Sequence, residues 1–219
     1  MKKTALVFVL LSAALCLFAQ NGTIRDISGI VELKAAGASE YVTARSGDLV
    51  RQDTIISTGF KSTALVEVGS AVISVRPLTR LSLTEIRASS GIETINVNLQ
   101  AGRVRVDVNP PAGTKASMSV VSPSATASVR GTSFEFDTRN LSVHSGTVSF
   151  QGNRGRTMMV NAGSVSKVES DGKAADPIET KSAGLLPPAP VGLDTVSAPA
   201  PEVRSSGTFN ISINYPSVN

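Results

Sequence analysis

An all-β fold is predicted for most of this 219-residue chain, and three features of the sequence predict it. Aromatic residues are scarce, with seven Phe, two Tyr and no Trp, whereas the strand-forming residues Val and Thr, together with Ser, are abundant. Runs of alternating apolar and polar residues separated by Gly-marked turns recur roughly every 8–12 residues between Gly22 and Ser170. No segment has a sustained apolar face at helical spacing. These features favour short, mostly antiparallel strands in a two-sheet sandwich or a β-helix-like stack, ahead of a closed barrel.

The strands can be placed one by one from this alternation. Arg103–Val108 is the cleanest case, because Val104, Val106 and Val108 share one face and the charged residues share the other. The loop that follows contains Pro110 and Pro111, which cannot continue a hydrogen-bonded ladder. The remaining strands are predicted at Ile27–Leu33, Tyr41–Ala44, Asp53–Thr58, Thr63–Val68, Ala71–Arg76, Thr79–Ile86, Ile92–Gln100, Leu141–Ser145, Thr147–Gln151, Thr157–Asn161 and Ser164–Val168.

The stretch Val120–Phe136 is the most informative part of the chain. Alternating Ala and Val predict one strand before Gly131, and alternating Phe134 and Phe136 predict another after it. Gly131 suggests a backbone position with positive φ, or a bulge, where any other residue would be strained. The simplest interpretation is a bulged hairpin in the core, with small alanines opposite large rings.

A short pattern of apolar, polar, small, Gly, polar, Val occurs three times, at Leu99–Val104, Val143–Val148 and Val160–Val165. Val66–Ala71 is a looser copy. The unequal intervals exclude a strict repeat array. The pattern predicts tight Gly turns between strands, lined up on one edge of a stack.

The first 19 residues have the features of a signal peptide. Two lysines precede an apolar run that is too short for a transmembrane helix. Cleavage after Ala19 is expected, with cleavage after Ala14 as the alternative, and lipidation of Cys16 is a less favoured outcome because no small residue directly precedes it. Cleavage after Ala19 would leave a mature chain without cysteine, and hence without disulfides. Its expected location is extracytoplasmic, in the periplasm, with secretion and a lipid anchor as the less favoured alternatives.

Charge and composition argue against several classes of function. Without Lys2 and Lys3 the chain has 19 basic and 17 acidic residues, a net charge of +2 that gives no reason to expect nucleic-acid binding. His144 is the single histidine, so neither a metal site nor a cofactor is expected. A hydrolytic triad could be assembled from Ser124, His144 and Asp137, but no nucleophile motif accompanies them. We therefore expect no catalytic residues and no enzymatic activity.

Two features are candidates for binding. Arg103, Arg105 and Arg130 are candidates for an exposed face that receives an anionic partner, although charged strand faces more commonly just prevent edge aggregation. Residues 171–206 are rich in Pro, Ala and Ser and predict a linker, and residues 207–219 contain one candidate strand. The apolar residues of that strand alternate with small polar ones, as in a docking strand that pairs with the chain's own sheet or with a partner's: Phe209, Ile211, Ile213 and Tyr215.

The order of these motifs resembles the FecR domain, an extracytoplasmic all-β module best known from regulators of iron-transport signalling. The matching segments span residues 27 to 168 and are Gly47-Asp48, Asp53–Gly59, Ala64–Ser70, Val75–Leu81, Leu99–Val104, Val121–Thr132, His144–Val148 and Asn161–Gly163. The residues that the resemblance marks as structural or interaction positions are Gly47, Asp48, Gly102, Arg130, Gly131, Thr132, Gly146 and Gly163. The anti-sigma segment and transmembrane helix that precede this domain in the family's regulators are replaced here by the leader, so sigma-factor regulation is not carried over.

The sequence therefore predicts a FecR-like β domain over residues 22–170, in an exported, non-catalytic protein for ligand or partner sensing in the cell envelope. Its expected partner is a protein or an envelope polymer. The alternative is a structural envelope or surface scaffold that docks through the C-terminal strand.

Overall fold

The structure, a computed structural model, describes residues 21–179, and this part of the chain consists of two nine-stranded β-sheets. No helix occurs among these residues. The predicted all-β fold of two packed sheets is confirmed. The signal peptide, most of the linker and the candidate docking strand with Phe209, Ile211, Ile213 and Tyr215 lie outside the described residues.

Eighteen strands are numbered here in chain order. They are Gly22–Ser28 (β1), Val31–Lys34 (β2), Val42–Thr43 (β3), Leu49–Val50 (β4), Ile55–Thr58 (β5), Thr63–Val68 (β6), Ala71–Val75 (β7), Arg80–Ser89 (β8), Ile92–Ala101 (β9), Arg103–Val108 (β10), Lys115–Val121 (β11), Ala125–Val129 (β12), Ser133–Asp137 (β13), Asn140–Ser145 (β14), Thr147–Gly152 (β15), Met158–Asn161 (β16), Ser164–Lys167 (β17) and Ile178–Glu179 (β18).

The chain passes back and forth between the two sheets. Sheet 1 has the order β18-β17-β14-β13-β10-β7-β6-β1-β4, and sheet 2 has the order β16-β15-β12-β11-β9-β8-β5-β2-β3. Short hairpins such as β6–β7 and β8–β9 stay within a sheet, and the chain then crosses to the other sheet. Successive pairs therefore stack along the molecule in the manner of a β-helix, although nearly all neighbouring strands are antiparallel.

The crossings lie on two opposite sides of the molecule. The side where β10 begins, called the Arg103 side, carries the crossings after β1, β5, β7 and β9. The side where β10 ends, called the Arg130 side, carries the crossings after β10, β12, β14 and β16. From β5 onward the change of side coincides with β9, β10 and β11, which make one full coil and leave β9 and β11 as parallel neighbours. Earlier in the chain, the crossing after the short strand β4 also lies on the Arg130 side. The expectation that the Gly turns share one edge is thus wrong.

The alternation in the sequence builds the core, because one face of each strand points between the sheets. Val104, Val106 and Val108 are buried as predicted, and Phe134 and Phe136 are fully buried. The ring of Phe136 contacts the ring of Phe150 edge to face, with centroids 5.9 Å apart. A single core of aliphatic and aromatic side chains therefore joins the sheets.

Several local predictions need correction. Gly131 has a positive φ of 87°, as suggested, but it does not form a hairpin, since β12 belongs to sheet 2 and β13 to sheet 1. The predicted strand Ile27–Leu33 is divided at Gly29, where φ is 78°, into β1 and β2. Strand β11 was not predicted, because its inward residues include the small Ala116 and its start follows the proline loop. Pairing also continues beyond residue 170, since β18 pairs with β17.

Candidate functional site

A groove runs across the outer face of sheet 1 at the Arg103 side. Two adjoining cavities of about 760 and 480 Å³ form it, and both are lined by Arg103, Glu135, Asp137 and Asn140. We call it the charged groove, and it also includes Arg76 and Arg139 at one end and Val165, Lys167 and Ile178 at the other.

The pairing of β10 with β13 places the central charges of the charged groove. Arg103 lies directly opposite Asp137, and Arg105 lies opposite Glu135. The inward neighbours of these residues are valines and phenylalanines, so the strands cannot turn over without exposing the core. The charged rows are therefore fixed by the same alternation that fills the core.

Arg103 joins two acidic residues of the neighbouring strand. Its guanidinium nitrogens lie 3.6 Å from the Glu135 carboxylate and 3.5 Å from the Asp137 carboxylate. Arg105 lies 3.3 Å from the carboxylate of Asp107 on its own strand. With 56% of its side chain exposed, Arg103 remains accessible to a ligand that could compete for one of its carboxylates.

Asp137 organises the turn between β13 and β14. Its Oδ1 accepts hydrogen bonds from the backbone N–H groups of Arg139, at 2.9 Å, and Asn140, at 2.7 Å. Partial burial acts to raise the pKa of Asp137, but these hydrogen bonds, the Asn140 side chain and the charge of Arg103 together lower it below the ordinary value. Asp137 therefore places a fixed negative charge at the centre of the charged groove.

The two ends of the charged groove differ in chemistry. At one end Arg76 makes no side-chain hydrogen bond or ion pair within residues 21–179, although its backbone N–H is bound to the carbonyl of Arg103 at 3.1 Å. At the other end Val165 pairs with Ile178, whose side chain is 61% exposed. A cation, an ion-pair centre and a wall that combines the apolar Val165 and Ile178 with charged residues thus follow one another along the charged groove.

The structure brings Arg103 and Arg105 together but separates them from Arg130. Arg103 begins β10, whereas Arg130 lies in the crossing beside the far end of that strand. At ~3.3 Å per residue the length of β10 separates the two positions by roughly 16 Å. The three arginines therefore do not form a single patch, and the carboxylates already offset the charges of two of them.

The positions marked by the family resemblance lie mainly in turns. Gly102, Gly131, Gly146 and Gly163 all have positive φ and all occupy crossings between the sheets. Gly47 also has positive φ, and the adjoining Asp48 accepts a hydrogen bond from the backbone of Arg45 at 2.8 Å. Thr132 is buried and Arg130 is exposed. Apart from the exposed Arg130, these residues lie in turns between strands or, in the case of Thr132, are buried.

The residues considered for a hydrolytic triad lie apart. Asp137 ends β13 on the Arg103 side, whereas His144 lies near the opposite end of β14, where Ser145 pairs with Ser133. Ser124 belongs to the turn between β11 and β12 in sheet 2. No group of three or more His, Cys, Asp or Glu residues suited to a metal ion occurs among residues 21–179.

Sequence reasoning missed Arg76, Glu135 and Arg139 as members of this site. Glu135 alternates with two buried phenylalanines, so its outward direction was readable from the sequence. Its partner Arg103, however, is 32 residues away, and nothing in the alternation states which strands are neighbours. Likewise, Arg76 and Arg139 come together only through the sheet order.

One comparison with known proteins agrees with the resemblance seen in the sequence. The family model described as FecR protein matches residues 54–153. Two crystal structures of a candidate anti-sigma factor from Parabacteroides distasonis ATCC 8503 are similar to the chain, each with 18% identity and a TM-score of 0.46. Each match covers 59% of this chain and 62% of the other, so the chain spans less than two thirds of those proteins. No curated protein matches the chain.

Within residues 21–179 there is also no helix long and apolar enough to span a bilayer.

Proposed function

We propose, from the match of residues 54–153 to the FecR protein family, that the protein is an exported, non-catalytic module for ligand or partner sensing in the cell envelope. The observation that carries the proposal is the charged groove on sheet 1. The groove offers different chemistry at successive positions: Arg76, whose side chain has no partner within residues 21–179, then the ion pairs of Arg103, then the exposed Ile178. Such a series suits a segment of a protein partner.

The geometry supports a protein segment over a small neutral ligand. A partner carboxylate could pair with Arg76 and share Arg103, while an apolar partner residue could cover Ile178 and Val165. Burying exposed apolar surface contributes about 25 cal/mol per Å², and the ion pairs fix the orientation. Binding would require no catalytic group, in keeping with the proposed sensing role.

Photo-crosslinking in the native host tests this proposal. A photoreactive residue replacing Ser142, in the floor of the charged groove, is expected to capture a defined envelope protein. The matched control replaces Ser149, a half-exposed serine on the outer face of sheet 2. Capture from both positions, or capture from position 142 that survives Arg76→Glu and Arg103→Glu, would overturn the proposal.

Export is a separate part of the proposal, and it rests on the leader sequence. Intact-mass measurement of protein from the native host should show loss of residues 1–19. Retention of Met1 would contradict export by this leader. A diacylglycerol adduct on Cys16 would show that the protein is anchored to a membrane by lipid and is not a soluble periplasmic protein.

A second candidate function is the structural scaffold that docks through its C-terminal strand. The observation that favours it is strand β16, which ends sheet 2 and, among residues 21–179, pairs only with β15, while the side chain of Met159 is 59% exposed. An edge strand of four residues is a template for a further strand.

A further inference from the structure

A second, smaller cavity of about 470 Å³ lies on the Arg130 side, away from the charged groove. Lys115 and Arg130 line it together with Ile92, Pro110 and Thr114. We call it the Lys115–Arg130 notch. Its walls contain two basic side chains and no acidic one.

The carboxylates of Glu93 and Asp107 have partners outside the notch. Glu93 accepts hydrogen bonds from the backbone N–H of Ser70 at 2.9 Å and from its hydroxyl at 2.5 Å. Asp107 is engaged by Arg105 and by the hydroxyl of Ser133. Within residues 21–179, neither Lys115 nor Arg130 therefore has a side-chain hydrogen bond or an ion pair, whereas the arginines of β10 are paired.

The backbone holds these two side chains in a fixed relation. β11 and β12 pair Met118 with Val129, which places Arg130 across from Ser117 and diagonal to Lys115. Diagonal neighbours on one face lie about 7–8 Å apart, within reach of a shared ligand. The N–H of Lys115 is bound to the carbonyl of Gly91 at 3.0 Å, so the start of β11 is also anchored to the β8–β9 turn.

We propose that the Lys115–Arg130 notch binds a phosphate-bearing group. A guanidinium can bind two phosphate oxygens at once, and an ammonium adds a point charge from the other wall. Ser117, exposed between them on β11, offers a hydroxyl. The notch is about 16 Å, the length of β10, from the centre of the charged groove, so both sites can be occupied together. The phosphate can come from a soluble ligand or from a lipid headgroup.

Titration of the full chain with inorganic phosphate, followed by amide NMR, tests the notch. Shifts are expected at Lys115, Ser117 and Arg130, with a loss of affinity of about tenfold or more in Lys115→Gln/Arg130→Gln. The control Arg80→Gln removes an exposed cation that lines neither the notch nor the charged groove, and it should leave the affinity unchanged. Shifts spread evenly over exposed basic residues, or reproduced by chloride at the same ionic strength, would overturn the proposal.

Vesicles distinguish the two sources of phosphate. Co-sedimentation with phosphatidylglycerol vesicles that inorganic phosphate competes away, and that the double variant loses, assigns the notch to a headgroup. Phosphate binding without co-sedimentation assigns it to a soluble ligand. Melting curves should show that the double variant stays folded, because both side chains are exposed. Failure of both assays in a folded wild-type protein would reject the notch while leaving the partner site on sheet 1 untouched.

Discussion

Gly102 is a residue where the fold leaves little room for a side chain. Its φ is 89°, and a Cβ there would lie 2.5 Å from Cα of Thr79 and 2.7 Å from the carbonyl oxygen of Leu78. Both neighbours are backbone atoms that cannot rotate away. Gly131 has nearly the same φ, 87°, but the nearest atom to its added Cβ is Cδ of Pro110, 3.6 Å away.

Alanine substitutions at Gly102 and Gly131 can therefore distinguish the cost of backbone strain from the cost of a steric clash. Gly131→Ala should cost about 1–2 kcal/mol of unfolding free energy, which is the price of the left-handed conformation alone. Gly102→Ala should cost at least about 2 kcal/mol more, because the backbone at Thr79 must also shift. Chemical denaturation of both variants gives the difference. Equal losses of unfolding free energy in the two variants would mean that the backbone of the crossing after β9 can shift without destabilising the fold.

Thr132 follows Gly131 and places a hydroxyl in the core. The residue is 4% exposed, and its Oγ1 has no hydrogen-bond partner in the described part of the chain. Its methyl group faces the crossing at Gly146, where a built Cβ would approach Cγ2 to 2.6 Å. The hydroxyl therefore adds little to stability, and the methyl fills space.

Two substitutions of Thr132 should then act in opposite directions. Thr132→Val keeps the shape and removes an unsatisfied polar atom, so it should be neutral or stabilise by up to about 1 kcal/mol. Thr132→Ser keeps the hydroxyl and removes the methyl, and should destabilise by about 1 kcal/mol. Thermal melting measures both. A clear loss of stability in Thr132→Val would show that the hydroxyl has a structural role.

At the scale of the elements, Asp137 links the β13–β14 turn to β10. Because its folded pKa is lowered from the ordinary 3.8, the carboxylate stabilises the fold above that value, and this stabilisation is lost as pH falls through the folded pKa. Asp137→Asn keeps an oxygen for the N–H groups of Arg139 and Asn140 but loses the charge that attracts Arg103.

The expected result is a pH-dependent difference in unfolding free energy. Wild type should be more stable than Asp137→Asn by about 0.5–1 kcal/mol at neutral pH, because solvent screens this partly exposed pair. The difference should shrink as the pH falls below about 4 and vanish once the wild-type carboxyl is protonated. Urea unfolding at several pH values measures it, and a difference that is constant with pH would exclude the charge as its source.

Most elements were predictable because alternation over four or more residues reports burial directly. Arg103–Val108 and Leu141–Ser145 are examples in which the inward residues are branched. The missed strand β11 has Ala116 and Met118 inward, a weaker contrast with the serines between them. Alternation also does not state which sheet receives a strand, so the crossing at Gly131 was taken for a hairpin.

At the scale of the whole molecule, the charged groove was not predictable because four separate parts of the chain build it. Arg76, Arg103, Asp137 and Ile178 become neighbours only once the order β18-β17-β14-β13-β10-β7 is known. That order depends on which side each crossing takes, and the side changes at the β9–β10–β11 coil. The charge on Arg103 was readable in the sequence, and its neutralisation by Glu135 and Asp137 was not.

The free edges of the two sheets bear on the fate of the C-terminal segment. In the described part of the chain, β3, β4 and β18 are edges of two residues each, and β16 is an edge of four. The outer face of sheet 2 near β16 carries uncharged polar residues, among them Ser119, Ser128 and Ser149. The segment Phe209–Tyr215 alternates apolar residues with Asn and Ser and carries no charge, so its two faces match those of sheet 2.

We therefore expect residues 209–215 to pair with β16 rather than to stay in water. Exposing four large apolar groups on one face would cost about 25 cal/mol per Å², and the cost of closing the linker rises only with the logarithm of its length. Amide exchange on the purified full chain should show slow exchange at residues 209–215, lost in Ile211→Asn/Ile213→Asn but retained in the control Ser212→Thr. The amides of β16 should lose protection in the same double variant, because the two strands would share one ladder. Fast exchange in the purified protein but protection in envelope extracts would place the strand on a partner's sheet, as the scaffold function requires, and fast exchange in both would refute docking of either kind.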